Sequence, residues 1–98
     1  MASLNLITIN GKIIINFGSG DQAIVTEDGN DLIKTGSGDD TISSGAGNDI
    51  VHSGSGDDTI DAGSGDDLVL SGTGSDTVSG GAGNDVLLLG AGEYDIAL

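Results

Sequence analysis

The chain contains no cysteine, so neither a disulfide framework nor a thiolate metal site can staple it. There is no tryptophan, and Phe17 and Tyr94 are the only aromatic residues. With 98 residues this leaves one small domain without the means for a large conventional core. Positive charge is almost absent: Lys12 and Lys34 face sixteen acidic residues, for a net charge of −14. Such a chain repels itself and stays largely unfolded unless something neutralises it. Nucleic acid and anionic membrane surfaces are poor partners on the same ground, so no nucleic-acid binding and no membrane insertion are expected. No apolar run is long enough to cross a bilayer, and the N-terminus lacks the basic region and apolar stretch of a cleaved signal peptide.

What the chain does have is a period. Every ninth residue from Gly11 to Gly92 is glycine, ten in succession. Four residues after each stands an aliphatic side chain: Ile15, Ile24, Ile33, Ile42, Val51, Ile60, Val69, Val78, Leu87 and Ile96. Two residues after the glycine, aspartate holds seven consecutive registers: Asp31, Asp40, Asp49, Asp58, Asp67, Asp76 and Asp85. Written as nonapeptides with this glycine fourth, the aspartate is sixth and the aliphatic residue eighth. From residue 35 the units read TGSGDDTIS, SGAGNDIVH, SGSGDDTID, AGSGDDLVL, SGTGSDTVS, GGAGNDVLL and LGAGEYDIA. Weaker units, TINGKIIIN, FGSGDQAIV and TEDGNDLIK, precede them.

Two glycines per unit cost roughly 1 kcal/mol each in a helix interior, and no 3.6-residue apolar stripe exists, so a helical reading fails. The pattern fits a tight glycine turn followed by about three extended residues, the middle one pointing inward. Two nonapeptides then close an 18-residue coil with one short strand in each of two parallel sheets. About five coils are expected, stacked at the ~4.8 Å strand spacing. The first sixteen residues read as an N-terminal capping strand region and residues 17–98 as the repeat roll. The rival for that first segment is a hairpin turning at Asn10-Gly11. The sequence stops at Leu98 in mid-repeat, which reads as a module of a longer chain or as an end that stacks on a partner.

Alternate units lie on the same side, so aspartates 18 residues apart stack. The pairs are Asp31 with Asp49, Asp40 with Asp58, Asp49 with Asp67, Asp58 with Asp76, and Asp67 with Asp85. Like charges one coil apart repel unless a cation lies between them. Calcium suits such rows, taking six to eight oxygens in flexible geometry, whereas magnesium demands a strict octahedron and keeps its waters. Zinc is disfavoured with no cysteine and with His52 as the sole histidine. Further oxygens are expected from the backbone carbonyls of Gly36, Gly38, Gly45, Gly47, Gly54, Gly56, Gly63, Gly65, Gly72 and Gly74. About five calcium sites result, and five dications take −14 to about −4. Metal binding and folding are then one event.

The units GSGDDTIS, GAGNDIVHS and GGAGNDVLL resemble the RTX (repeats-in-toxin) nonapeptide G-G-x-G-x-D-x-U-x. The resemblance is closest from Thr35 to Leu88 and continues more weakly to Thr8 and Leu98. It implies an all-β, right-handed parallel β-roll with calcium held between adjacent turns on each side. It also implies a secreted, extracellular setting, as a module of large bacterial proteins exported by type I secretion. The seven aspartates are its ligand positions. Ile13, Gln22 and Tyr94 occupy the aspartate position in other units, which departs from the pattern.

The fifth-position acids Asp39, Asp57 and Asp66 alternate with Asn48, Ser75 and Asn84 and read as turn-formers. His52 reads as a surface residue. No nucleophile–base pairing can be argued, so the expected role is binding and structure rather than catalysis. One outer face collects Ile14, Leu32, Ile50, Leu68 and Val86 at the seventh position, with Leu70 and Leu88 at the ninth. That face is expected to dock a fused domain or a second copy, since such stripes rarely stay exposed. The opposite face carries Thr41, Thr59 and Thr77, too few rungs for an ice-binding ladder.

Overall fold

The computed structural model describes residues 5–9, 13–15, 19–90 and 96–97. Its strands, in chain order, are β1 (Asn5–Ile9), β2 (Ile13–Ile15), β3 (Gln22–Thr26), β4 (Leu32–Lys34), β5 (Thr41–Ser43) and β6 (Ile50–His52). They continue with β7 (Thr59–Asp61), β8 (Leu68–Leu70), β9 (Thr77–Ser79), β10 (Val86–Leu88) and β11 (Ile96–Ala97). Odd-numbered strands form one sheet and even-numbered strands the other, and all neighbours pair in parallel. The chain is therefore an all-β parallel solenoid in which each nonapeptide turns from one sheet to the other.

The three-residue strands follow from the sequence. Two glycines per unit leave room for strands with only one inward side chain each, and that side chain is the eighth-position aliphatic. Ile24, Ile33, Ile42, Val51, Ile60, Val69 and Val78 are all at most 1% exposed and form, with Ala62, a single internal column. The thinnest dimension is 13 Å, consistent with two sheets about 10 Å apart and one layer of side chains between them.

From β3 to β10 every strand pairs with the residue 18 positions on, as in Ala23 opposite Thr41 and Leu32 opposite Ile50. This strict register spans about four turns rather than five, because the outer strands leave the frame. Asn5 stands opposite Gln22, one residue short of the period. Ile13 stands opposite Leu32, and Ile96 opposite Thr77, one residue beyond it. One consequence corrects the outer row: Ile14 is in register with Ile33, and it is Ile13 that meets Leu32, Ile50, Leu68 and Val86. In the same way Ala97, not Ile96, is in register with Val78. β1 and β2 belong to different sheets, so they are edge strands of the solenoid rather than two arms of a hairpin.

The turns require glycine for two reasons at once. Gly47 has φ 121°, and a Cβ there would fall on the carbonyl oxygen of Gly29 in the preceding coil. Gly63 has φ 87°, and a Cβ there would fall on the Gly45 carbonyl. The positive φ makes the turn, and the missing Cβ lets turns stack carbonyl-on-α-carbon.

Candidate metal centre

The turns carry the sixth-position aspartates into the interior. Asp31, Asp40, Asp49, Asp58, Asp67 and Asp76 are between 0% and 3% exposed, and Asp85 is part-buried. From Asp40 on, each carboxyl reaches back one coil. Oδ1 of Asp40, Asp49 and Asp58 accepts from the backbone N–H of Gln22, Asp31 and Asp40, each at 2.8 Å. Oδ1 of Asp67, Asp76 and Asp85 accepts likewise from Asp49, Asp58 and Asp67, at 2.9, 2.9 and 3.0 Å. The five expected pairs are thus brought together in two rows, one in the turns leading into each sheet.

The second oxygen of each carboxyl explains what these rows lack. Oδ2 of Asp40, Asp49, Asp58 and Asp67 is buried and has no hydrogen-bond partner. A buried acceptor left unpaired costs about 1–3 kcal/mol, and more when charged. Burial accordingly pushes the Asp58 carboxyl up to about 7 and that of Asp67 to about 6. Asp40 and Asp49 are also raised by burial. The hydrogen bond from the N–H of the preceding coil opposes the rise in all four, while the Thr35, Ser44 and Ser53 hydroxyls near Asp40, Asp49 and Asp58 have their protons committed to carbonyls of the next coil. Asp67 has Ala62 where the others have a hydroxyl. Neighbouring aspartates push in the same direction as burial, Asp40 and Asp76 on Asp58, and Asp49 and Asp85 on Asp67.

A divalent cation answers each of these costs. The donors are hard oxygens, and among the described residues no three carboxylate, imidazole or thiol side chains converge. A site here therefore consists of two stacked carboxyls completed by main-chain oxygens. The two sets of glycine carbonyls differ. Those of Gly36, Gly45, Gly54 and Gly63 accept N–H groups of Ser55, Ser64, Thr73 and Ala82 in the next coil, at 3.1–3.2 Å. Those of Gly29, Gly38, Gly47, Gly56 and Gly65 take no such bond among the described residues and keep their full acceptor capacity. A Cβ at Gly90 would fall on the Gly72 carbonyl, and the position one coil beyond Gly74 lies outside the described residues. Oxygen-only donors, buried and anionic, fit calcium.

Two side-chain ladders flank the rows and escaped the sequence reading. The fifth-position residues are not merely turn-formers: Oδ1 of Asp21, Asp39 and Asp57 accepts from the N–H of Asp39, Asp57 and Ser75 in the next coil. Asn30, Asn48 and Asp66 do the same for Asn48, Asp66 and Asn84. Only one acceptor oxygen is used, which is why asparagine and aspartate interchange there. The first-position hydroxyls of Thr26, Thr35, Ser44, Ser53 and Ser71 donate to the carbonyls of Ser44, Ser53, Ala62, Ser71 and Leu89. The recurrence of Ser or Thr at a fully internal position was the available signal.

A sequence model of the RTX calcium-binding nonapeptide repeat matches the chain four times, over residues 17–51, 25–60, 43–78 and 61–94. The chain belongs to the RTX calcium-binding repeat family. No match was found among curated proteins or among solved structures. RTX nonapeptide repeats bind calcium, and the family is a structural calcium-binding module typical of secreted bacterial proteins.

The remaining expected site is the aliphatic face. Leu32, Ile50, Leu68 and Val86 stand side by side across the even-numbered sheet. Ile50, Val86 and Leu88 are 44%, 52% and 51% exposed, while Leu32, Leu68 and Leu70 are half-buried. His52 lies between Lys34 and Leu70 in the same sheet. Among the described residues no helix is long and apolar enough to cross a membrane.

Proposed function

We propose that this chain is a calcium-folded RTX β-roll that serves as a folding and stability element of a secreted bacterial protein, without catalytic activity of its own. The observation that carries the reading is the set of unpartnered Oδ2 atoms of Asp40, Asp49, Asp58 and Asp67, buried in the aspartate rows. Asp31, Asp40, Asp49, Asp58, Asp67, Asp76 and Asp85 hold about five calcium ions, with fourth-position glycine carbonyls as the main-chain ligands. When bound, calcium supplies positive charge between carboxyls that otherwise repel one another and resist burial. Where calcium is scarce, as inside a cell, a chain of net charge −14 stays open and exportable; where calcium is abundant, it folds. Residues 1–16 act as the cap of the roll formed by residues 17–98, supported by the edge positions of β1 and β2.

Circular dichroism during calcium titration, followed by chelation, tests the reading. A strand signal should rise with calcium and vanish with chelator at neutral pH. A chain already rich in strand without metal at pH 7.5 would refute the coupling.

The exposure of Ile50, Val86 and Leu88 favours a second reading, in which the calcium-rigidified roll docks through its aliphatic face to a fused domain or a second copy. Sedimentation of the calcium-loaded chain tests the second-copy form. A concentration-dependent dimer that Ile50→Asp abolishes supports it, and a monomer throughout removes it.

A further inference from the structure

Gln22 occupies the sixth position of its unit, where the next seven units carry aspartate. Its backbone behaves as theirs does: its N–H donates to Asp40 Oδ1 at 2.8 Å, the same bond that Asp31 makes to Asp49. The turn beneath is also unchanged. Gly38, with φ 112°, sits over the Gly20 carbonyl so closely that a Cβ would come within 2.6 Å of that oxygen. The difference lies in the side chain. Gln22 is 2% exposed, and its Nε2 donates to the Gly20 carbonyl at 3.0 Å.

Gly20 is a fourth-position glycine, the class whose carbonyls at Gly38, Gly47, Gly56 and Gly65 carry no hydrogen bond among the described residues. In the later units this carbonyl and the aspartate are both acceptors, and two acceptors facing one space need a cation. In the Gln22 unit the side chain brings a donor instead, and the carbonyl is satisfied by an uncharged amide. One fewer carboxylate is buried as well, so the like-charge repulsion that a dication would relieve on that side of Asp40 is reduced to that from Asp21.

We infer that Gln22 is a built-in replacement for calcium: its amide satisfies the Gly20 carbonyl of its own turn, under the turn at residues 37–40, and the calcium column on this row starts only with Asp40 and Asp58. The inference rests on the calcium-binding reading above. This turn contact holds without metal, while the contacts further along the same row require it. The row through Asp31 and Asp49 has no such plug at the corresponding level, since Asp31 retains the carboxylate.

Gln22→Asp tests this by restoring the acceptor. Calcium per chain is counted by isothermal titration and by equilibrium dialysis on wild type and variant, each verified as folded by its strand signal in calcium. The expected result is one additional calcium ion per chain in Gln22→Asp. Wild-type binding with no gain in the folded variant overturns this inference alone. No calcium binding by the wild type overturns both this inference and the proposed function. If Gln22→Asp does not fold in calcium, Gln22→Glu is counted in the same way, and the same gain or lack of gain decides.

Discussion

Replacing Asp58 by asparagine should make the metal-free chain more stable and the calcium-bound chain weaker. Burial raises the Asp58 carboxyl from 3.8 to about 7, a difference of about three units. At 1.36 kcal/mol per unit, ionised Asp58 costs the metal-free roll on the order of 4 kcal/mol at pH 8. That is most of the stability a small domain can have. The sign follows from proton counting. Below pH 3.8 the carboxyl is protonated in both the folded and unfolded states, and the cost is absent. Between pH 3.8 and about 7 the folded state holds the proton more tightly, so stability falls as pH rises. Above about 7 the full cost remains. The asparagine of the Asp58→Asn variant can still accept the Asp40 N–H, and its amide has no charge to bury. Urea unfolding followed by circular dichroism at pH 4 and pH 8, in chelator with a fixed concentration of a stabilising osmolyte that folds the metal-free chain, measures both proteins. The variant's advantage over wild type should be near zero at pH 4 and approach about 4 kcal/mol at pH 8. With calcium the order reverses, because the contacts with Asp40 and with Asp76 both lose a carboxylate, and the variant should bind two fewer ions. Equal pH slopes for the two proteins would refute the account of Asp58 as a buried, unpartnered anion.

Gly56→Ala should unfold the roll or cost several kcal/mol even in saturating calcium, since φ is 112° and the new Cβ falls on the Gly38 carbonyl; thermal melts check this. Asp39→Asn should leave stability and calcium stoichiometry unchanged, because only Oδ1 is used, toward the Asp57 N–H, whereas Asp39→Ala should cost about 1 kcal/mol without changing the calcium count. Ala62→Ser should extend the hydroxyl ladder, which passes over this position, by donating to the carbonyl one coil on, and stabilise the roll by about 1 kcal/mol; thermal melts in calcium check this. Removing residues 1–16 should lower the melting temperature of the calcium-loaded chain while leaving its calcium stoichiometry intact.

The period carried most of the fold. A glycine every nine residues and one aliphatic side chain four residues later suffice to place Ile24 through Val78 in a single internal column and to pair aspartates 18 apart. Where the strict frame ended, so did its predictive value. Ile13–Ile15 are three identical side chains, and nothing in them says which is in register with Ile33; pairing with β4 selected Ile14. The ladders were hidden for a different reason. Serine, threonine and asparagine are ordinary turn residues, and only their burial and direction reveal that Ser44 or Asn48 joins one coil to the next. Gln22 read as a missing ligand, and the structure gives it a bond of its own.

The two sheets present different exteriors, threonine on β5, β7 and β9 and aliphatic residues on β4, β6, β8 and β10, and successive nonapeptides alternate between them. Nine residues are therefore the unit of sequence but not the unit of architecture. Duplicating or deleting a single nonapeptide would exchange the faces of everything downstream, placing isoleucine in the threonine row and threonine in the aliphatic row. Duplicating or deleting eighteen would leave both faces continuous. A roll of this kind can lengthen or shorten without losing its sidedness only in whole coils, and its history of growth should be legible as even numbers of repeats.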